Sequence, residues 1–298
     1  MIRNIFLLML SALCAWSCTD NLPGDEAPTD GRHSLNITVG PKPAFTDGTL
    51  TRADGTTLPE PRAVQTDEGT KWEEGDVVWL CAKFQNAVSI LGTCYSALKY
   101  TGGAWRYLTG DEAAALGVSS YAGFNRTLIY DEPDGSVKYT DVFISATYAG
   151  SGKPDASGRI TFPALGSSEA VPVMQATTGS DNLREPLTLY FTYLCSRLRI
   201  PAGCDLEVSA YRYCISYGLS TGILDIGTTS FSIHVPAADA PRDIYLLPVA
   251  DDDGTPSVLT LVRGGSTWTL TPQPVTAYFG LSYTLPSLDP GGVKPGNM

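Results

Sequence analysis

Histidine is scarce: His33 and His234 are the whole supply in 298 residues. A serine-type triad needs an imidazole base with partner groups, and neither position offers them. His33 stands beside an acidic stretch, and His234 lies in the strand-like run Phe231-Ser232-Ile233-His234-Val235. The seven cysteines form no C-x-x-C, and their spacings suit no zinc site. Basic residues are outnumbered, 20 against 31 acids, and the net charge of -11 repels phosphate backbones, so no nucleic-acid partner is expected. No run is apolar over the ~20 residues a spanning helix requires.

Other chemical motifs fail on close reading. Gly150-Ser151-Gly152-Lys153 has the wrong spacing for a phosphate loop, and Pro154 stands where the magnesium-holding hydroxyl belongs. It reads as a turn. Acids cluster at Glu73-Glu74, Asp131-Glu132 with Asp134, and Asp251-Asp252-Asp253, and the three consecutive aspartates are neighbours that point to different sides, unlike the alternating ligands of a calcium loop. Glycoside hydrolysis depends on carboxylate separation across a cleft, which spacing along a chain does not give. These acids read as solvated turns, and no enzyme activity, cofactor or metal is expected.

What is present is β-forming material. Hydrophobic residues make up 43% and aromatics 10%, while 30 Gly and 21 Pro punctuate the whole chain and leave little room for helices. Strands are expected at Ser34–Val39, Asp76–Phe84, Tyr95–Tyr100, Trp105–Leu108, Leu128–Tyr130, Val137–Tyr148, Ile160–Phe162 and Val171–Met174. A second set covers Leu187–Ile200, Leu206–Ser216, Gly222–Ile226, Phe231–Val235, Ile244–Val249, Val258–Val262, Trp268–Thr271 and Val275–Leu285. One helix is expected at Gly110–Leu116, where Thr109 and Glu112 have capping-box spacing and Gly117 ends the run. Many short strands broken by turns indicate an all-β protein of sandwiches or partly open barrels, and the break near residues 177–186 divides them into two. Strand aromatics such as Tyr190, Phe191 and Tyr193 alternate between faces: most serve the core, and exposed ones could stack on sugars or a partner.

The N-terminus reads as an export signal. Arg3 precedes the apolar run Ile5–Leu13, and Ala15-Trp16-Ser17-Cys18 has the form of a bacterial lipobox, apart from Trp16. Residues 1–17 are then a signal peptide and Cys18 the acylated terminus; Cys14 competes, but Leu13 before it is bulky. Acyl chains would tether the protein to a membrane without spanning it. Residues 18–33 are acidic and turn-rich, a tether. Ser34–Val39 alternates with Leu35, Ile37 and Val39 on one face, and residues 40–71 are polar and unperiodic with four prolines, a loop of unusual length. An N-terminal domain is expected over 34–180, a C-terminal one over 181–288, and a flexible tail over 289–298. Cys81, Cys94, Cys195, Cys204 and Cys214 remain, an odd number, as buried small hydrophobes or with one or two disulfides.

The lipobox at Cys18, then Thr51-Arg52-Ala53, then Lys71-Trp72-Glu73-Glu74-Gly75-Asp76-Val77-Val78, the strand Leu187–Ile200 and Tyr245-Leu246-Leu247-Pro248 together resemble the fimbrillin-like lipoproteins of Bacteroidales, the subunits of protease-assembled type V pili. Tyr193 replaces the histidine usual in that family's strand. The resemblance implies two tandem transthyretin-like β-sandwich domains with Greek-key character, on a lipid-anchored, surface-exposed outer-membrane protein. It also implies assembly by donor-strand exchange. An arginine-specific protease cuts after Arg52, or after Arg62, and the strand bearing Leu35, Ile37 and Val39 leaves. Another pilin subunit then adds a strand to the vacated groove. The residues after Leu288 are rich in Pro and Gly and ill-suited to donate a strand, which favours a tip or accessory subunit with an adhesive role toward a host or glycan ligand. A surface glycan-binding lipoprotein of a polysaccharide-utilisation system is the alternative. It would carry a planar aromatic platform and undergo no arginine processing.

Overall fold

The computed structural model describes residues 35–52, 71–85, 90–123, 141–162, 172–180, 185–210, 214–226, 231–246, 259–263, 266–273 and 280–285. The first strands are β1 (Ile37–Val39), β2 (Thr46–Asp47), β3 (Thr49–Arg52), β4 (Val77–Gln85), β5 (Ile90–Thr101) and β6 (Ala104–Tyr107). After the helix α1 (Gly110–Ala115) come β7 (Asp141–Tyr148), β8 (Arg159–Thr161), β9 (Met174–Ser180), β10 (Leu187–Leu189), β11 (Thr192–Tyr193) and β12 (Ser196–Ile200). The rest are β13 (Leu206–Ala210), β14 (Cys214–Gly218), β15 (Leu224–Ile226), β16 (Phe231–Val235), β17 (Arg242–Leu246), β18 (Leu259–Arg263), β19 (Ser266–Gln273) and β20 (Leu281–Thr284). The protein is all-β, with several antiparallel sheets.

A six-stranded antiparallel sheet in the order β11-β9-β7-β4-β5-β6 organises the core. Its central strand β4 is apolar on both sides of the pleat, as a strand covered on both faces must be. Val78, Leu80, Ala82 and Phe84 face one cluster with Val142, Ile144, Ala146, Met174, Leu187, Leu189 and Phe191. Trp79 and Cys81 face the other, with Leu108, Val118, Tyr121, Ile160, Tyr217 and Leu219. The second cluster lies under α1, whose only buried residue is Ala113. Thr109 and Glu112 cap that helix reciprocally, and Gly117 at φ 73° turns the chain away. Glu112 also receives Arg106 at 2.6 and 2.7 Å and Lys99 at 2.9 Å. Hydrogen bonds from these cations hold its carboxyl well below the usual range.

The remaining sheets are β17-β12-β20-β2, β16-β13-β18-β19-β3, β15-β14-β8 and the pair β1-β10. Strands on either side of residues 181–184 therefore share sheets: β11 extends the sheet of β9, and β14 pairs with β8. Four sequence expectations change, the first being that Leu206–Ser216, read as one strand, is divided between β13 and β14 in different sheets. Thr177–Ser180, read as the beginning of a connection, continue β9 opposite Val142–Ser145. The expected single strand Leu187–Ile200 is three, β10, β11 and β12, belonging to different sheets. The supposed loop 40–71 holds β2 and β3, whose few residues, set among Pro41, Pro43 and Gly48, are too short to show alternation. Their pairing is tertiary in origin. No helix among the described residues is long and apolar enough to cross a membrane.

Candidate functional site

Residues 35–52 contribute an edge strand to three sheets in succession. β1 lies parallel to β10 with Ile37 opposite Leu187 and Val39 opposite Leu189. β2 lies parallel to β20 at the end of its sheet, and β3 lies antiparallel to β19 at the end of another, with Arg52 opposite Leu270. Backbone bonds fasten each stage. Leu187 N donates to Asn36 O at 2.8 Å, Gly40 N to Leu189 O at 2.8 Å, Thr46 N to Gly280 O at 2.7 Å and Gly48 N to Ser282 O at 2.7 Å.

Side chains from the body close over the same segment. Tyr107 Oη donates to Leu35 O at 2.9 Å, Trp72 Nε1 to Gly40 O at 2.9 Å and Tyr193 Oη to Pro43 O at 2.7 Å. Burial pushes the Tyr193 phenol up to about 12, so it stays a donor at neutral pH. Leu35 and Ile37 enter the cluster that holds Leu187 and Leu189, while Phe45 stacks on Tyr193 with ring centroids 3.7 Å apart. The Arg197 guanidinium lies over the Phe45 ring at 4.7 Å. Burying each of these three apolar side chains is worth about 1.5–3 kcal/mol, before the entropy of ordering the segment is subtracted.

Two glycines permit the close approach. A Cβ on Gly40 would fall 2.9 Å from the Tyr190 ring, and one on Gly48 would run into the ring of Tyr283, itself buried. The segment is thus a shaped, edge-on strand that the surrounding fold recognises through main-chain bonds and pockets. Removing it would leave the edges of β10, β20 and β19 unpaired and the Leu187–Leu189 cluster open to water, a state a new strand would relieve.

No family model matches this chain, and no curated protein matches it. Solved structures do. It is similar to a candidate cell adhesion protein from Bacteroides uniformis, with 16% identity over 88% of this chain and 95% of that one and a TM-score of 0.46. It is similar to a candidate polysaccharide-binding protein from Bacteroides thetaiotaomicron, with 13% identity over 65% and 71% and a TM-score of 0.34. The fimbrial anchor protein Mfa2 from Porphyromonas gingivalis gives 8% identity over 75% and 78%, with a TM-score of 0.33. At such identities and TM-scores the likeness does not extend to function.

The residues singled out in the sequence fall as follows. Leu35, Ile37 and Val39 lie on the docked segment, with Leu35 and Ile37 buried and Val39 packed at the margin of their cluster. Arg52 is the last residue of β3. Cys18 and Arg62 lie outside the described residues, as do the tether, the tail, Leu128–Tyr130 and the acids at 131–134 and 251–253. Of the strand aromatics, Phe191 and Tyr193 are buried while Tyr190 is 69% exposed. His234 pairs with Asp205 at 2.7 Å on the surface. Gly150–Lys153 turns the chain, and Lys153 donates to Leu116 O at 2.8 Å. Cys81 and Cys195 are buried free thiols, raised by burial to about 11 and about 12. No cluster of three or more His, Cys, Asp or Glu side chains fit for a metal occurs among the described residues.

The sequence indicated a strand at Ser34–Val39 but not β2 and β3, which follow Phe45. The signal was there in Phe45, a lone aromatic between two prolines and Gly48 in an otherwise polar stretch. An aromatic so placed has no local partner and must be held by the body.

Proposed function

We propose that this protein is a lipid-anchored surface subunit of adhesive pili that accepts a strand from a neighbouring subunit after its own residues 35–52 are released by cleavage. The observation that carries the reading is the edge position of β1, β2 and β3: one continuous segment covers the edges of three sheets, and no strand pairs on its outer side among the described residues. Cleavage after Arg52 would sever that segment from the body at the end of β3. It would then be held by hydrogen bonds and apolar contacts alone. Replacement is the physics of β-augmentation, in which main-chain bonds supply affinity and pockets supply specificity. Arg62 is the second candidate site, and a cut there would free the same three strands. Acylation at Cys18 would keep the uncut protein at the membrane until cleavage detaches the anchor along with the segment. The sequence resemblance to fimbrillin-like lipoproteins supports the same order of events.

N-terminal sequencing of the protein recovered from the cell surface tests this. The expected sequence begins at Ala53, or at Ala63 for the second site. A surface-resident mature protein that retains residues 35–52 intact would contradict the reading and favour a surface glycan binder.

A further inference from the structure

The Trp72–Asp76 turn leads into β4 and builds a small cage against the docked segment. Trp72 is locked by edge contacts with Trp105, Tyr148 and Phe191, at centroid separations of 5.1, 5.5 and 5.6 Å. Asp76 is fixed by the Tyr148 hydroxyl, which donates to its Oδ1 at 2.9 Å, and by the Glu73 amide, which donates to its Oδ2 at 2.9 Å. Gly75 at φ 94° makes the turn in which the Asp76 amide donates to Glu73 O at 3.0 Å. Into this cage the chain inserts Lys42. Its Nζ lies 5.4 Å from the Trp72 ring centroid, 5.2 Å from that of Tyr148 and 3.8 Å from Asp76 Oδ2. The side chains of Lys42 and Asp76 are only 10% and 12% exposed. Two aromatic faces and a carboxylate around a desolvated ammonium are the ingredients of a cation site, and such contacts strengthen when water is excluded.

We infer that Trp72, Tyr148 and Asp76 form an alkylammonium-binding site, filled here in cis by Lys42, whose outside ligand is the lysine side chain of an extended segment. Most of what holds the cage belongs to the body: the ring contacts of Trp72 with Trp105, Tyr148 and Phe191 and the bonds to Asp76 from Tyr148 and the Glu73 amide, whereas the Trp72 Nε1 bond to Gly40 O belongs to the docked segment. When residues 35–52 depart, the cage loses the Gly40 acceptor of Trp72 and its cation together but keeps its ring contacts and the bonds to Asp76, leaving a carboxylate without its cation. An incoming strand that restores the cation is preferred over one that does not. The neighbouring positions set the rest of the pattern: apolar residues at the places of Leu35 and Ile37, small ones at Gly40 and Gly48, and an aromatic ring at Phe45, three residues beyond the cation. The use of the cage by a second molecule's strand rests on the exchange reading above, whereas the cage as a cation site stands on the intact chain.

Chemical rescue separates the two. In the full chain, Lys42→Ala removes a propylammonium group, and Tm is expected to fall by about 2–4 °C. Tens of millimolar n-propylammonium should restore most of that loss in Lys42→Ala and raise the parent chain little. Matched sodium chloride or 1-propanol should do neither. Lys42→Met keeps the length without the charge and should behave as Lys42→Ala without rescue, because its side chain blocks the cage. Rescue by 1-propanol equal to that by propylammonium, or a Lys42→Met chain with the parent Tm, would overturn the cation site. In the second arm the chain is nicked after Arg52 with both pieces retained and offered peptides copying residues 35–48. The lysine peptide should displace the resident segment about tenfold better than its norleucine counterpart. Rescue without uptake of either peptide upholds the cage and defeats the exchange reading. Equal uptake of both peptides without rescue does the reverse.

Discussion

Replacing Phe45 by alanine should undock residues 35–52 while leaving the six-stranded sheet in place. Phe45 is 7% exposed, stacked on Tyr193 at 3.7 Å and under the Arg197 guanidinium at 4.7 Å, with Tyr245 at 6.1 Å. Truncating a buried phenylalanine costs about 3–5 kcal/mol. Because the segment occupies sheet edges, the loss falls on a local opening rather than on the global transition. Even the low end changes the opening constant more than a hundredfold, at about 1.4 kcal/mol per factor of ten. Hydrogen exchange reads this directly. The amides of Thr46 and Gly48, bonded to Gly280 O and Ser282 O, should exchange more than about a hundredfold faster in Phe45→Ala. The amides of Leu80 and Ala82 on β4, flanked by β5 and β7, should keep their protection. Equal acceleration in both places would mean that the segment is part of the global folding unit, and the edge-segment argument would be refuted.

Gly48→Ala should lower stability by about 1–3 kcal/mol through overpacking against Tyr283, whereas Gly110→Ala, with nothing near a new Cβ, should be neutral or slightly stabilising; denaturant titration checks both. Glu112→Gln should cost about 1 kcal/mol at neutral pH. Since the folded-state carboxyl is held below its ordinary value near ~4.3, this contribution is present above that pH and is lost as pH falls below it. Melting curves of parent and variant should therefore converge in acid. The Cys81 and Cys195 thiols should resist a thiol reagent at pH 8 in the native protein and react on unfolding. Cys18→Ala should abolish acyl labelling in the producing cell, while Cys14→Ala should not.

The core strands were legible because burial imposes a pattern. β4 and β7 are long, apolar and bounded by turn residues, and the expected spans Asp76–Phe84 and Val137–Tyr148 overlap them closely. The capping box at Thr109 and Glu112 was equally readable, since its chemistry is local. What escaped was pairing decided at a distance. Thr46–Asp47 and Thr49–Arg52 are strands only because β20 and β19 present free edges, and nothing within those residues announces it. The same holds for the split of Leu187–Ile200, where the only local mark of a change of sheet is the shift of phase at Leu194-Cys195. Trp72 and Asp76 were noticed as a motif, yet their cage is completed by Tyr148 from β7, and its occupant Lys42 lies 30 residues before Trp72.

The most direct test is strand replacement itself. The purified chain is cut after Arg52 by limited trypsin digestion and incubated with an isotopically labelled peptide copying residues 35–52, alongside an Arg52→Ala/Arg62→Ala chain that resists the cut. Native mass spectrometry then counts the label. Uptake of the labelled segment by the cut chain alone, in place of the resident one, is the expected result. No uptake by the cut chain, or equal uptake by both, would contradict the proposal that residues 35–52 are an exchangeable strand.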